Sequence, residues 1–365
     1  MNDFLSCSKR TNQSKSSIIH SNRSTFLAFT NCLYFYRMQQ FLIIQTAFLG
    51  DVILATPVCS ELKRLFPDAH IDILVRKGNE SILLNHPAIR NVITFDKKAG
   101  KLKALKKCIQ TIRKENYDTV INLHRFGSSG IITALSKANK KIGFAKNPFS
   151  FAYTTKIPHE IGNGTHEVER NLRTIAHLGA DKLVRPSLFP AQANEEKIAS
   201  FTAQSRPYFV LAPASVWFTK QLPITHWITL ASDLAKRGTV YLVGGKDDEQ
   251  LCQLVIDGAT LMPENNLAGK LNLLDSCALL QHAARCFVND SGPMHMASAM
   301  NTPTTAFFCA TIPAFGFGPL ATDATIVETA EQLTCRPCGL HGGKTCPEGH
   351  FKCGNTIVIN STVSN

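Results

Sequence analysis

The 365-residue sequence contains no run of eighteen apolar residues, so it predicts no membrane-spanning helix. It also lacks any literal repeat that would relate its first half to its second. Acidic residues are scarce, because 27 Asp and Glu stand against 39 Lys and Arg, for a formal net charge of +12 at pH 7. This imbalance predicts an anionic partner: a nucleotide, an anionic lipid surface or nucleic acid.

The twelve cysteines are scattered, apart from four near the C-terminus, and the chain is far too large for a disulfide scaffold. We therefore expect a reduced, cytoplasmic protein. A hydrophobic content of 44% and a charged content of 18% are typical of a soluble enzyme. The length is sufficient for two α/β domains, each with its own core.

Residues 1–37 are polar and rich in Ser and Asn, and they lack a small-residue cleavage site that would indicate a signal peptide. A buried strand begins at Phe41, soon after Met38, so we expect the leader to be disordered or to result from a misassigned start. The leader holds five Lys and Arg against one Asp. Because that part of the positive charge lies outside the folded body, the net charge is weak evidence for nucleic-acid binding. We therefore expect no nucleic-acid partner.

Strand and helix patterns alternate along the rest of the chain. A first series has apolar strands at 41–46, 71–75 and 119–123, with helices at 52–65, 101–114 and 166–178. The segments 81–84 and 92–95 flank a turn at Pro87, and a loop region begins at 141–144. After a Pro-rich break at 186–190, a second series has strands at 208–212, 239–243, 286–288 and 304–308. Its helices are predicted at 194–204, 224–237, 249–255, 274–284 and 294–300. The alternation predicts an α/β fold with a parallel doubly wound sheet in each domain, over 38–188 and 189–365.

The segment from Cys286 to Met300 combines a short strand, an Asn-Asp-Ser-Gly turn and an apolar helix with Pro293 at its start. The free N–H groups and the dipole of a helix N-terminus form an anion site, to which Ser291 and His295 add donors. Ordinary helix capping by Asp, Asn or Ser explains the same residues equally well.

This stretch, Asn-Asp-Ser-Gly-Pro-Met-His, resembles the signature of glycosyltransferase family 9, the ADP-heptose:lipopolysaccharide heptosyltransferases. The resemblance covers residues 38–355 and implies the GT-B architecture, in which two Rossmann-like domains face a cleft. Gly50-Asp51, ahead of a helix with Thr56-Pro57, resembles the N-terminal motif of the family. The resemblance makes Asp51 the general base, whereas a helix N-cap is the structural alternative.

The resemblance also assigns residues to the donor, whereas the acceptor side is predicted from the residues alone. On the donor side, Lys220 is the candidate for phosphate contact, and one of Asp247, Asp248 and Glu249 would bind the ribose. The predicted donor-binding residues are Ser215, Lys220, Asp248, Asp290, Ser291, Gly292 and His295. His124 and Arg125 follow a first-domain strand and would suit an acidic acceptor sugar. A surface Lys and a capped surface helix remain the alternatives for Lys220 and Asp248.

Four cysteines near the C-terminus, with His341 and His350, are of zinc-ligand type, but Cys346 and Cys353 are spaced too widely for a zinc knuckle. The tail resembles that of the heptosyltransferase II branch, for which we expect no metal. Asp-x-Asp, a common cation-binding motif of metal-dependent sugar transferases, is absent. We therefore expect no cofactor and a leaving group stabilised by Lys and a helix N-terminus.

These observations predict an inverting, metal-independent GT-B glycosyltransferase that moves heptose from ADP-heptose to the lipopolysaccharide inner core of a bacterium. Its partners would be the ADP-sugar, the lipopolysaccharide acceptor and, peripherally, the cytoplasmic face of the inner membrane. A related transferase for another nucleotide sugar is the first alternative. A non-catalytic, anion-binding surface protein is the second.

Overall fold

The computed structural model describes residues 38–96, 100–180, 182–203 and 205–359. The predictions for residues 1–37 lie outside the described residues. Within the described part of the chain, no helix is both long enough and apolar enough to cross a bilayer.

The first sheet consists of six parallel strands in the order β3-β2-β1-β4-β5-β6. Its central strands are apolar runs buried on both faces, as expected for a parallel sheet covered by helices. The strands are β1 (Gln40–Gln45), β2 (His70–Arg76), β3 (Asn91–Phe95), β4 (Thr119–Asn122), β5 (Lys140–Phe144) and β6 (Thr155–Ile157).

The helices of this half are α1 (Leu49–Ile53), α2 (Thr56–Leu65), α3 (Lys101–Glu115), α4 (Gly127–Ala134) and α5 (Glu167–Leu172). The helix predicted at 52–65 is two helices, because the chain breaks at Leu54 and Ala55 and Pro57 lies in the first turn of α2. The loop predicted from residue 141 is wrong, since that segment forms strand β5. The helix predicted at 166–178 ends at Leu172 and continues only as a short turn of 3-10 helix.

The second sheet has five parallel strands in the order β11-β10-β9-β7-β8. These are β7 (Tyr208–Ala212), β8 (Thr239–Leu242), β9 (Arg285–Asn289), β10 (Thr304–Phe308) and β11 (Ala324–Glu328). Its helices are α6 (Gln192–Thr202), α7 (Ile224–Ala235), α8 (Glu249–Gly258), α9 (Leu273–Gln281), α10 (Gly292–Met300) and α11 (Lys352–Asn355).

Side chains alternate between two cores along the strands, as the period of two requires. In β1, Phe41 and Ile43 enter a large core that also contains Val210 and Ala212 of β7, so both sheets contribute to it. The opposite faces of the first and second sheets pack into separate outer cores. The predicted α/β fold with two Rossmann-like sheets is confirmed, whereas the boundary at 188/189 stays a prediction.

A buried arginine connects the two halves. Arg170 of α5 donates from Nε to Glu167 Oε2 at 2.6 Å and from Nη2 to the carbonyl of Phe315, beyond β10, at 2.8 Å. Its Nη1 donates to the carbonyls of Thr165 and Glu160. Close by, the N–H of Glu167 donates to the carbonyl of Gly316 at 2.7 Å. The guanidinium thus cross-links α5 to the loop between β10 and β11 of the second sheet.

Candidate active site

Each sheet has one point at which its strand order reverses, between β1 and β4 in the first and between β7 and β9 in the second. In open α/β sheets, ligands bind in the crevice outside the carboxyl ends of the strands at such a point. The loops after β1 and β4 carry Asp51, His124 and Arg125. Those after β7 and β9 carry Ser215, Lys220 and the Asp290 turn. The topology therefore places both predicted substrate sides at reversal points.

Asp51 lies at the third position of α1, and its Oδ2 accepts a hydrogen bond from the backbone N–H of Phe48 at 3.2 Å. Phe48 holds the N-cap position, so the alternative that Asp51 is the N-cap itself is wrong. Burial, and then repulsion by Glu167, raise the pKa of Asp51 to about 6, against opposing contributions from the Phe48 N–H and Arg125. A carboxylate with this pKa is charged at pH 7 and basic enough to accept a proton.

His124 and Arg125 differ in their surroundings. The His124 ring is buried and lies with Nδ1 2.9 Å from the Thr46 hydroxyl, a contact that bridges the loops after β1 and β4. Arg125 is half-buried, close enough to Asp51 to lower its pKa electrostatically. Arg125 is therefore the more available of the two for an acceptor, and acceptor binding by either residue stays a prediction.

Lys220 and Asp290 form the polar centre of the second crevice. Lys220 Nζ lies 2.7 Å from Asp290 Oδ2, and the Thr311 hydroxyl donates to the same oxygen at 2.7 Å. Ser291, rather than Asp290, holds the N-cap position of α10, and Oδ2 of Asp290 is turned to Lys220 and Thr311, so capping by Asp290 is wrong. The Asp290 carboxylate anchors Lys220, which keeps two further ammonium hydrogens for a ligand.

Helix α10 begins with Ser291 at the N-cap position, but the Ser291 side chain makes no capping bond and instead donates to the Asn289 carbonyl at 3.3 Å. His295, in the second turn, is only 5% exposed, and its Nδ1 is buried with no hydrogen-bond partner. Burial lowers the pKa of His295 to about 4. The ring is thus neutral at pH 7 and offers a hydrogen bond rather than a positive charge.

The starts of α1 and α10 meet across the cleft. A Cβ added to Gly50 would fall 2.6 Å from His295 Cδ2, so only glycine fits against this ring. A Cβ on Gly292 would lie 3.4 Å from the Leu49 side chain. The structure therefore brings together the two motifs that the sequence singled out, although about 240 residues separate them in the chain.

Ser215 and Asp248 lie on loops after β7 and β8. The Ser215 carbonyl accepts from Gln221 Nε2 at 2.7 Å, which holds the loop near Lys220. Asp248 Oδ2 accepts from the Gly245 N–H at 2.8 Å, so its carboxylate caps the turn that follows β8. Asp248 therefore has the capping role that was the alternative to donor binding. Donor binding by Ser215 and by Asp248 stays a prediction.

Three residues near this crevice were not predicted. Asn289 is fully buried and joins the loops on both sides of the reversal point, accepting from the Leu222 N–H at 3.0 Å and donating to the Pro213 carbonyl at 2.8 Å. Thr311 binds Asp290, as described above. His341 is near enough to Lys220, Arg125 and Asp290 to interact with them electrostatically. Asn289 lies inside the signature turn and so carried a signal in the sequence, whereas His341 was noted only as a zinc-type side chain and Thr311 carried no signal.

The C-terminal cysteines lie close to one another without a disulfide between them. Cys338 Sγ donates to the Cys335 carbonyl at 3.2 Å, and Cys335 Sγ lies 4.0 Å from His350 Nε2. Across residues 38–359, outside the short gaps, no three His, Cys, Asp or Glu side chains are arranged to hold a metal ion. That the cysteines bind no metal stays a prediction.

Comparison with known proteins gives a consistent result. Residues 105–349 match the family model of glycosyltransferase family 9 (heptosyltransferase). The chain is 30% identical over 282 residues to lipopolysaccharide heptosyltransferase 3 of Escherichia coli, which covers 72% of this chain and 82% of that protein.

Two solved structures share the fold, each at 21% sequence identity. E. coli ADP-heptose lps heptosyltransferase II superposes with a TM-score of 0.69 and covers 87% of this chain and 98% of its own. E. coli heptosyltransferase WaaC, with bound ADP-2-deoxy-2-fluoro heptose, has a TM-score of 0.63 and covers 80% of this chain and 93% of its own.

Proposed function

Because this chain belongs to glycosyltransferase family 9, the heptosyltransferases, we propose that it moves heptose from ADP-heptose to the lipopolysaccharide inner core by an inverting, metal-independent reaction. Transfer of heptose to lipopolysaccharide is the activity named for its relatives. The observation that carries the proposal is the meeting of α1 and α10, which sets a carboxylate beside a cationic crevice.

Asp51 would accept the proton of the acceptor hydroxyl. The oxygen of that hydroxyl attacks the anomeric carbon of the heptose as the bond from this carbon to the β-phosphate oxygen of ADP breaks. One displacement of this kind inverts the anomeric centre and leaves the proton on Asp51 and the new negative charge on ADP. A positioned carboxylate contributes typically 10²–10⁴-fold to such a step.

Lys220 and the start of α10 would stabilise the leaving diphosphate. The two ammonium hydrogens of Lys220 that Asp290 does not accept can donate to phosphate oxygens, and the helix N-terminus adds a positive dipole end. These prearranged groups would stabilise the negative charge of the leaving group. Other transferases use a cation held by an Asp-x-Asp motif for the same purpose. The reaction is therefore proposed to need no metal.

The ADP part of the donor is proposed from the WaaC structure, which contains ADP-2-deoxy-2-fluoro heptose and whose fold this chain shares. Incubation with ADP-heptose and a lipopolysaccharide core acceptor should release ADP at a rate that depends on both substrates. A thermal-shift series with ADP, UDP and GDP should show stabilisation by ADP. Stabilisation by UDP or GDP alone would favour the transferase for another nucleotide sugar, and no stabilisation would favour a non-catalytic protein.

We expect Lys220→Gln to weaken ADP binding about tenfold or more. The amide can still donate to Asp290, so the change removes chiefly the charge, and a hydrogen bond to a charged group contributes about 1.5–3 kcal/mol. Isothermal titration with ADP measures the effect, with Lys140→Gln as control, because Lys140 is exposed at the start of β5 and lies away from the carboxyl ends of the strands. His295→Ala should have a smaller effect because the ring is neutral. Unchanged affinity in both site variants would place the donor elsewhere.

The transfer rate should rise with pH and level off above the pKa of Asp51, which is about 6. The base must be deprotonated to act, so below this pKa the rate should fall about tenfold per pH unit. Initial rates at saturating donor and acceptor between pH 5 and pH 8 test this, with melting temperature recorded at each pH. A rate that is flat down to pH 5 in folded protein would contradict the assignment.

A further inference from the structure

The positive charge of this chain is concentrated in one stretch. Residues 101–160 contain twelve Lys and Arg but three Asp and Glu, and residues 1–37 contain five against one. The remaining residues are balanced, with 22 Lys and Arg against 23 Asp and Glu. Most of the net charge of +12 therefore belongs to α3, α4 and the segments after them.

Helix α3 directs its basic side chains to one side. Lys103, Lys106, Lys107, Arg113 and Lys114 are exposed and recur at intervals of three, four and seven residues, which aligns them along a helix face. The opposite side of the helix, with Ala104, Cys108 and Ile112, is buried against the first sheet. Among the residues that the structure describes, no ion pair involves Lys103, Lys106 or Lys107.

Large apolar side chains are exposed in the same region. Leu102 is 81% exposed, Phe151 is 74% exposed and Phe126, at the N-cap of α4, is 61% exposed. Helices α3 and α4 pack together, and Arg113 Nε donates to the Leu135 carbonyl at the end of α4 at 2.7 Å. The loop that carries Phe149 and Phe151 packs on α4.

We call this surface the basic–apolar face and define it by Leu102, Lys103, Lys106, Lys107, Phe126 and Phe151. It covers the side of the first sheet that faces away from the core shared with the second sheet. One end adjoins the acceptor crevice, because Phe126 follows Arg125 directly.

We propose that the basic–apolar face docks on a bilayer of anionic phospholipid and thereby holds the acceptor crevice at the membrane surface. The proposal rests on the proposed function, in which the acceptor is a lipid-anchored saccharide. Lys and Arg near an anionic leaflet and apolar side chains that enter the headgroup region are the two components of interfacial binding. Phe126 and Phe151 could stack on nucleobases, whereas the aliphatic Leu102 could not, and the lipid-anchored acceptor of the proposed function favours a bilayer over nucleic acid.

Binding to vesicles tests the proposal on the full chain. In cosedimentation with vesicles of phosphatidylglycerol and phosphatidylcholine in equal parts, the triple variant Lys103→Gln, Lys106→Gln, Lys107→Gln should bind about a hundredfold more weakly than the parent. The matched control changes three exposed lysines elsewhere, Lys182, Lys270 and Lys352, to Gln and has the same net charge. It should retain most of the binding, and salt should weaken binding in both proteins.

A second variant and an activity assay make the result decisive. Phe151→Ser should also weaken binding, because an apolar side chain that enters the bilayer is lost. Equal losses in the two lysine triples, no binding to anionic vesicles, or displacement of the protein from vesicles by an RNA oligonucleotide would each overturn the proposal. Transfer to a deacylated, water-soluble acceptor should be the same in both triples. If the parent protein transfers nothing to this acceptor, that result would contradict the proposed function instead of the membrane proposal.

Discussion

Replacement of Asp51 by Asn should reduce heptose transfer at least a hundredfold while leaving melting temperature and ADP affinity near their original values. Loss of a general base costs typically 10²–10⁴-fold in rate. The amide oxygen of Asn can still accept the Phe48 N–H, so the hydrogen bond at the start of α1 is retained and only the basic group is lost. Steady-state rates with saturating ADP-heptose and acceptor measure the effect.

The design separates catalysis from helix stabilisation. If Asp51 only stabilised the first turn, Asn would replace it with little change, because Asn and Asp serve comparably at helix starts. A variant that keeps a tenth or more of the parent rate would therefore reduce Asp51 to a structural residue and reopen the choice of base. Asp118→Asn, on the first sheet away from the cleft, serves as a control for a charge change of the same size.

Replacement of Arg170 by Met should destabilise the protein by about 3–5 kcal/mol, the cost of removing one partner from a buried charge pair. The side chain is fully buried and donates to Glu167 and to carbonyls of both halves. Met fills a similar space but leaves these acceptors unpaired. Urea unfolding followed by far-ultraviolet circular dichroism measures the change as a shift of the midpoint.

A neighbouring arginine provides the control. Arg173 lies three residues further on and is exposed, so Arg173→Met should change stability by about 0.5 kcal/mol or less. Similar shifts for the two variants would show that the Arg170 contacts contribute no more than a surface side chain. A double variant Arg170→Met, Glu167→Gln should recover part of the loss, because it also removes the buried carboxylate.

Local pattern was sufficient to predict the central strands and most helices. Phe41–Ile44 and Phe209–Leu211 are continuous apolar runs, and such short runs are typical of strands in the middle of a parallel sheet that is covered on both faces. The last two strands at one side of the first sheet, β5 and β6, were harder to predict. Strand β5 begins with two lysines and includes Gly143, and β6 is three residues long and mostly exposed, so neither carries the apolar pattern of a buried strand.

The site was predicted only as far as its separate segments. The turns at Gly50-Asp51 and Asp290–His295 could be identified because each begins a helix after an apolar strand. The bond from Lys220 to Asp290 could not be predicted, since it joins loops 70 residues apart in the chain. For the same reason, Asp290 looked like a helix cap, although its carboxylate accepts from Lys220 and Thr311.

The core that both sheets share makes the halves of this enzyme depend on each other for solubility. Ile43 of β1, Val210 of β7 and Met294 of α10 belong to one continuous set of buried side chains. A chain cut between the two sheets would leave each fragment with a contiguous apolar surface, of the kind that drives aggregation. Each half therefore needs the other to cover this surface, and we expect the two to be obtained in soluble form only as one chain.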